Sequence, residues 1–111
     1  MGTTVQSFRV EASFSDLVNK LSKISEFSGV YRKIFEEAKI AVFCGEKFFF
    51  RTASWAGITI IVKEVSPNLC AVDAIGYAGG EGLLKISWLS EESYINELID
   101  FLGQHYKVRS S

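Results

Sequence analysis

Two strand-like segments joined by a short turn constrain the fold of this chain most. Residues 58–65 place isoleucine or valine at positions 58, 60 and 62, and residues 69–77 form a second apolar segment. Between the two segments stands Ser66–Pro67–Asn68. Proline fixes the backbone at the first central turn position and asparagine tolerates the second, while alternation with period two is typical of a strand. The sequence therefore predicts an antiparallel hairpin over residues 58–77.

Further strand patterns lie on both sides of this hairpin. Four segments have the alternation or the residue types of strands: 5–12, 40–44, 47–52 and 84–88. The second and third are alternatively one bent strand over residues 39–52, with a bulge at Gly45. Residues 53–57 are then expected to form a connection without regular structure.

Helical spacing of apolar residues occurs in two places. Ser13, followed by Asp16, resembles a capping box, and residues 14–38 predict two helical pieces joined by a bend at Ser28–Gly29. A second helix is expected to begin at Ser90, with acidic residues in its first turn. Its apolar stripe consists of Ile95, Leu98, Ile99 and Leu102, and it ends at Gly103 or near Tyr106.

The element order is thus β-α(α)-β-β-β-β-α. Because successive strands have short connections, we expect one α+β domain over residues 1–111, with helices packed on one face of a curved antiparallel sheet. This order resembles that of the helix-grip and TATA-binding-protein-like folds.

Composition excludes several classes of protein. The 111 residues are 48% apolar and 23% charged, which is typical of one soluble globular domain. The formal net charge of −1 gives little attraction for nucleic acid, so no such partner is expected. Because no apolar run approaches ~18 residues and no signal peptide is visible, we expect a cytoplasmic protein without membrane association.

A glycine-rich segment carries a family resemblance. Residues Asp73–Gly82 follow the pattern D-x-I-G-x-x-G-G-x-G, and the segment Ile86–Ser87–Trp88 comes shortly after. This pattern resembles a small uncharacterised prokaryotic family of single-domain proteins, and the resemblance implies no activity.

The residues needed for common catalytic and metal sites are scarce. The chain has Cys44, Cys70 and a single histidine, His105. We expect both cysteines to be small buried hydrophobes, able to form a disulfide only if their strands are neighbours. No catalytic residue, metal site or cofactor is predicted. The two cysteines and one histidine cannot supply four nitrogen or sulfur ligands for zinc, and no nucleophile is paired with a histidine in a known catalytic motif.

Three other features have a structural and a functional interpretation. The glycine segment 76–82 serves either as a strand connection or as a phosphate cradle, and the adjacent Glu81 favours the connection. Asp73 either points outward or faces a cavity as a general base, and we expect it outward. The outward positions assigned to Lys47, Arg51 and Lys63 form either a solvated strand face or, with Phe49, a patch for single-stranded nucleic acid; we expect the solvated face.

Two functional hypotheses follow from the sheet. The first is a non-catalytic binding domain with a small apolar cavity between the sheet and the C-terminal helix. Strand alternation places five inward residues around this cavity: Phe48, Phe50, Ile60, Val62 and Trp88. Because these side chains are apolar, we expect the ligand to be a small apolar molecule.

The second hypothesis is a homodimer that assembles through the outer face of the sheet. Strand parity places Phe49, Ile61, Ile75 and Tyr77 on this face, with Arg51 at its rim.

We expect Trp88 to be buried, because it continues the inward alternation of residues 84–88. We expect Trp55 to be exposed or at an interface, because it lies in a connection of small residues with serine and glycine nearby.

Overall fold

A computed structural model describes residues 2–24, 31–49, 54–78 and 84–110. These residues form six strands and two helices: β1 (Gly2–Val10), α1 (Phe14–Ser22), β2 (Tyr31–Phe35), β3 (Ile40–Phe49), β4 (Ser54–Ser66), β5 (Leu69–Ala78), α2 (Leu84–Gly103) and β6 (Val108–Ser110). The α+β class is confirmed.

All six strands belong to one sheet, in the order β2-β3-β4-β5-β1-β6. Each neighbouring pair is antiparallel. Strands β4 and β5 form the predicted hairpin, which turns at Pro67–Asn68, and the register shifts between Glu64 and Ser66 just before the turn. The first strand, β1, pairs with β5 and so brings the N-terminal segment into the sheet beside the hairpin.

The core lies between one face of the sheet and the two helices. Helix α2 packs across β4, β5 and β1, while α1 contacts β4. The largest side chains of the described residues with less than 2% of their surface exposed lie in this layer: Val10, Leu17, Leu21, Phe43, Ile58, Ile60, Val62, Val72, Ile95 and Leu102. The predicted arrangement of helices on one face of an antiparallel sheet is therefore confirmed.

The prediction of a helix over residues 30–38 is wrong, because Tyr31–Phe35 forms the edge strand β2. In this strand Ile34 is half-buried, whereas Tyr31 and Phe35 are exposed. Val30, Ile34 and Ala38 have helical spacing, but Tyr31, Lys33 and Phe35 also fit a period of two. In so short a segment, pairing with β3 decides the structure.

Three other local predictions are also wrong. Residues 84–88 form the first turns of α2 rather than a strand, so Ser90 lies inside the helix and does not cap it. Strand β3 continues through Gly45, so the alternative of one strand is confirmed and that of two separate strands is wrong. Its pairing with β4 runs without a register shift past Gly45, which therefore makes no bulge. Residues 54–57, expected in a connection, belong to β4.

The end of the chain is more ordered than its polar composition suggests. Strand β6 pairs with β1 at the edge of the sheet, and Arg109 forms an ion pair with Glu11 at 3.0 Å. The Tyr106 hydroxyl donates a hydrogen bond to Asp16 Oδ2 at 2.6 Å, which connects the segment after α2 to α1.

Helix α1 begins as its sequence predicts. The Ser13 hydroxyl accepts a hydrogen bond from the backbone N–H of Asp16 at 3.2 Å. Replacing Ser13 with alanine leaves this N–H without its cap, so we expect Ser13→Ala to lower the free energy of unfolding by about 1 kcal/mol. Urea denaturation measures the change. An unchanged midpoint would show that the cap contributes nothing to stability.

Candidate interaction surface

The sheet has one face covered by helices and one that neither described helix covers. Ile58, Ile60 and Val62 are buried against the helices, so the alternate positions of β4 point the other way. We call the outward positions of β1 to β5 the open face. Five of the six exposed large apolar side chains of the described residues occupy outward positions: Val5, Tyr31, Phe35, Trp55 and Tyr77. The sixth, Val65, lies within the register shift before the turn.

The strand register arranges the open face in rows that run across the sheet. One row joins Lys33, Val42, Ile61, Asp73 and Ser7. The next row joins Tyr31, Cys44, Thr59, Ile75 and Val5. Apolar side chains therefore occupy the middle strands, and the charges of the first row lie on either side of them.

An aromatic ring is fixed on this surface by a glycine. Gly57 pairs with Tyr77, and a Cβ atom at Gly57 would lie only 2.5 Å from Tyr77 Cε2. The Tyr77 ring therefore lies directly over the Gly57 backbone, with 43% of the residue exposed. Trp55 lies two residues before Gly57, on the same face, and is 58% exposed. Large rings of limited flexibility are typical of the centres of protein interfaces.

Charged groups on the open face are held by local contacts. Asp73 Oδ1 accepts a hydrogen bond of 2.6 Å from the Ser7 hydroxyl, and Asp73 is exposed. Its predicted outward orientation is confirmed. Lys33 Nζ lies 5.7 Å from the centre of the Phe35 ring, where a cation–π attraction favours it.

The structure brings together three of the five predicted interface residues. Ile61 and Ile75 are half-buried on the open face and Tyr77 is exposed there. The prediction that Trp55 is exposed is confirmed. The Phe49 side chain and Arg51 lie outside the described residues.

The predicted cavity lining is described only in part. Ile60 and Val62 belong to the core, and neither has any exposed surface. The side chains of Phe48, Phe50 and Trp88 lie outside the described residues. So do residues 79–82 of the glycine segment, whose predicted role as a strand connection stays a prediction. A ligand cavity between the sheet and α2, and the burial of Trp88, stay predictions.

The predicted outward position of Lys47 is wrong. Lys47 pairs with the buried Ala56 in the sheet and reaches across to α2, where its ammonium lies 2.5 Å from a carboxylate oxygen of Glu97. Lys63 is exposed on the opposite face. The two lysines therefore share no surface, and the arrangement proposed for a nucleic-acid patch does not form.

Sequence reasoning missed Val5, Tyr31 and Phe35 as members of the open face. Tyr31 and Phe35 were assigned to a helix, so their alternation with Arg32 and Ile34 was not used. The alternation of the first strand places Val5 on the face opposite to that of Phe8. Its pairing with Ile75, however, joins two strands that are distant in sequence. Periodicity could have found all three, but only the register shows that they share a surface.

Two depressions lie away from the open face. A groove of about 350 Å³ lies between α1 and β2. Its lining includes the apolar side chains of Phe14 and Ile34 and the charged side chains of Arg32 and Lys39. Lys39 Nζ lies 5.8 Å from the centre of the Phe14 ring. A smaller cleft of about 180 Å³ lies between β1 and α2.

The two cysteines have different environments. Cys70 is buried and its thiol lies 3.5 Å from the carbonyl oxygen of Ala12, which accepts its hydrogen bond. Burial, with a smaller contribution from Glu64, raises the pKa of the Cys70 thiol to about 11. Cys44 is half-buried on the open face, 3.6 Å from the hydroxyl of Thr59. Both thiols are free, and β4 separates their strands.

Among the described residues, no three histidine, cysteine or acidic side chains come together as a metal site. In the same part of the chain, no helix combines the length and the hydropathy needed to cross a membrane.

This chain is similar to one protein family and to one solved structure. A family model described as "Family of unknown function (DUF6054)" matches residues 4–106. A search of proteins with curated descriptions found no match. A solved structure of the di-domain ARO/CYC BexL, from the BE-7585A biosynthetic pathway, superposes with a TM-score of 0.52 at 12% sequence identity.

That superposition covers 94% of this chain and 43% of the BexL chain, so this chain spans less than half of the length of BexL. At this identity, the similarity shows a shared helix-grip-like architecture and carries no information on activity.

The raised pKa of Cys70 predicts how stability depends on pH. The folded state holds the thiol proton up to about pH 11, whereas the unfolded chain releases it from about pH 9. The resulting stabilisation is complete below pH 9 and is lost as the pH rises through 11. We expect urea unfolding to show a smaller loss of stability between pH 8.5 and 10.5 in Cys70→Ala than in the unmodified chain. Equal losses would contradict a proton linkage at Cys70.

The contact between Gly57 and Tyr77 predicts the effect of one added methyl group. Because a Cβ at Gly57 would overlap the ring, Gly57→Ala must displace Tyr77, and its ring resonances in the NMR spectrum should shift. Gly103→Ala is the matched control, since no atom lies within 4 Å of the added Cβ there. Unchanged Tyr77 resonances in Gly57→Ala would show that the ring is not seated on the glycine.

Proposed function

The chain belongs to the DUF6054 family of unknown function, and we propose that it is a non-catalytic interaction domain that forms a homodimer through its open face. The observation that carries this proposal is the position of the exposed apolar side chains. Five of the six exposed large apolar side chains in the described residues lie at outward positions of the sheet. Scattered exposure is normal for a protein surface, but concentration on one face favours a partner there.

The size of the open face suits a protein partner. Strands β1 to β5 contain from five to 13 residues each. With a rise of ~3.3 Å per residue and a strand spacing of ~4.8 Å, they give several hundred Å² of projected sheet. The accessible surface of the side chains is larger than this projection, which brings it near the ~800 Å² that each partner buries in a stable interface. An open surface of this extent matches another protein surface better than it matches a small molecule.

A second copy of the chain is the partner that needs the fewest further assumptions. Two-fold self-association is the commonest assembly of soluble proteins, and it covers both apolar faces at once. Two antiparallel sheets pack face to face at about 10 Å, with their side chains interleaved. The open face supplies the required mixture of half-buried Ile61 and Ile75 with the exposed rings of Trp55 and Tyr77.

Cys44 provides a natural reporter of this assembly. It lies in the middle of the open face, between Tyr31 and Thr59 in the register, and is half-buried in the single chain. A sheet packed on this face would cover the thiol. Its alkylation should therefore slow as the protein concentration rises, whereas Cys70 is buried within the chain at every concentration.

The proposal is tested by light scattering at micromolar concentration. We expect a dimer of the unmodified chain, of twice 12.4 kDa, and a monomer for Ile61→Lys, because the lysine would place an unpaired charge in the interface. Gln104→Lys adds the same charge at an exposed position outside the open face and should remain dimeric.

Folding of each variant is checked by circular dichroism. If Ile61→Lys does not fold, Trp55→Lys replaces it, since that residue is 58% exposed and its position tolerates a polar side chain in the single chain. A monomeric unmodified chain, or a dimer that both lysines leave intact, would overturn the proposed function.

A further inference from the structure

One row of the open face has a charge pattern that bears on how two copies could pack. Four of its five members lie on four consecutive strands: Lys33 on β2, Val42 on β3, Ile61 on β4 and Asp73 on β5. These four members thus place a positive charge, two apolar residues and a negative charge in order, and Ser7 on β1 follows Asp73. The charged ends are three strand spacings apart, about 14 Å.

Two-fold symmetry restricts how such a row can meet its copy. When two sheets pack face to face, the symmetry axis lies in the plane between them. An axis across the strands, through this row, would place Lys33 over the partner's Lys33 and Asp73 over the partner's Asp73. Two pairs of like charges would then be buried together, which opposes association.

An axis parallel to the strands reverses the order of the strands and has a different result. If it runs between β3 and β4, it places β2 over the partner's β5. Lys33 then faces the partner's Asp73, Asp73 faces the partner's Lys33, and Val42 faces the partner's Ile61. Lys33, Val42, Ile61 and Asp73 each meet a complementary group, and the two charge pairs are equivalent by symmetry. The same axis places no described strand opposite Ser7 on β1.

Moving that axis by half a strand spacing, onto β4, removes the complementarity. Lys33 on β2 would then face Ser7 on β1, and Asp73 would face Val42. Both charges would lose water without gaining an opposite charge, which is costly in an interface. The charges of this row therefore select the position of the axis as well as its direction. In the row that contains Ile40 and Lys63, the same axis places Lys63 opposite the partner's Ile40.

The next row agrees with the same axis. Tyr31 on β2 comes to face Ile75 on the partner's β5, and Cys44 on β3 comes to face Thr59 on the partner's β4. A ring thus lies over an aliphatic side chain, and a thiol over a hydroxyl. Packed sheets are inclined by about 30°, which displaces opposing residues by only a few ångströms and is within the reach of a flexible lysine.

We infer that the homodimer axis runs parallel to the strands between β3 and β4, so that Lys33 of each copy pairs with Asp73 of the other. This inference rests on the proposed homodimer and adds its geometry and its two charge pairs. Ser7 already orients the carboxylate through its 2.6 Å hydrogen bond, and the Phe35 ring lies beside the ammonium of Lys33. Both charges are exposed in the single chain and so are available to a partner.

Charge reversal at the two positions provides the test, with dissociation constants measured by analytical ultracentrifugation. Lys33→Glu and Asp73→Lys each place like charges opposite one another, so each should weaken its homodimer by at least about tenfold. The double variant Lys33→Glu/Asp73→Lys should recover dimerisation, because it exchanges the two charges. Lys107→Glu and Asp100→Lys are the matched controls, since both residues are exposed and lie outside the strands of the open face.

The outcomes separate this inference from the proposed function. If Ile61→Lys dissociates the dimer but both single reversals leave it intact, the open face is the interface and the inferred axis is wrong. Weakening by the single reversals without recovery in the folded double variant also rejects the pairing of Lys33 with Asp73. If the unmodified chain is a monomer, the proposed function and this inference fail together.

Discussion

Strand β4 carries large apolar side chains on both of its faces, and much of the structure depends on this property. Its inner side chains Ile58, Ile60 and Val62 are completely buried beneath the helices, and this burial supplies the centre of the core. Its outer side chains include Trp55 and Ile61, which no described helix covers. A single sheet with helices on one side can bury only one of these faces within the chain, so the other remains available to a partner.

The strongest local patterns of the sequence predicted much of the architecture. The turn at Pro67–Asn68 and the cap at Ser13 depend on residues close in sequence, so their chemistry identifies them directly. The edge strand β2 and the first turns of α2 could not be assigned with the same certainty. Five alternating residues fit a strand and a helix almost equally, and only packing against the rest of the chain decides between them.

The candidate surface was harder to predict than the fold. Parity alone placed Ile61, Ile75 and Tyr77 on the outer face, as the structure shows. The same approach put Lys47 on that face, because it places Phe48 and Phe50 in the core and so turns the alternate positions outward. The unbroken register instead directs Lys47 toward Glu97 on α2. The alignment of Lys33 with Asp73 depends on three successive strand pairings and has no signal in local sequence.

The shared architecture with BexL does not determine which face of the sheet carries a function. In a two-layer fold of this type, a ligand would bind between sheet and helix, whereas a protein partner would bind the uncovered face. The exposed rings and aliphatic side chains of the described residues favour the uncovered face in this chain. Proteins with this fold share a sheet whose inner face packs against helices. The side chains on the outer face are specific to each sequence.

The central claim is that the open face becomes buried when two copies meet. NMR measures this directly through the relaxation that a soluble paramagnetic probe causes at the methyl groups of Ile61 and Ile75, compared at low and at high micromolar concentration of the unmodified chain. The account predicts that both methyl groups are accessible to the probe when dilute and protected when concentrated, while Ile60 in the core is protected throughout. Equal accessibility of Ile61 and Ile75 at the two concentrations, in samples whose mass shows association, would contradict it.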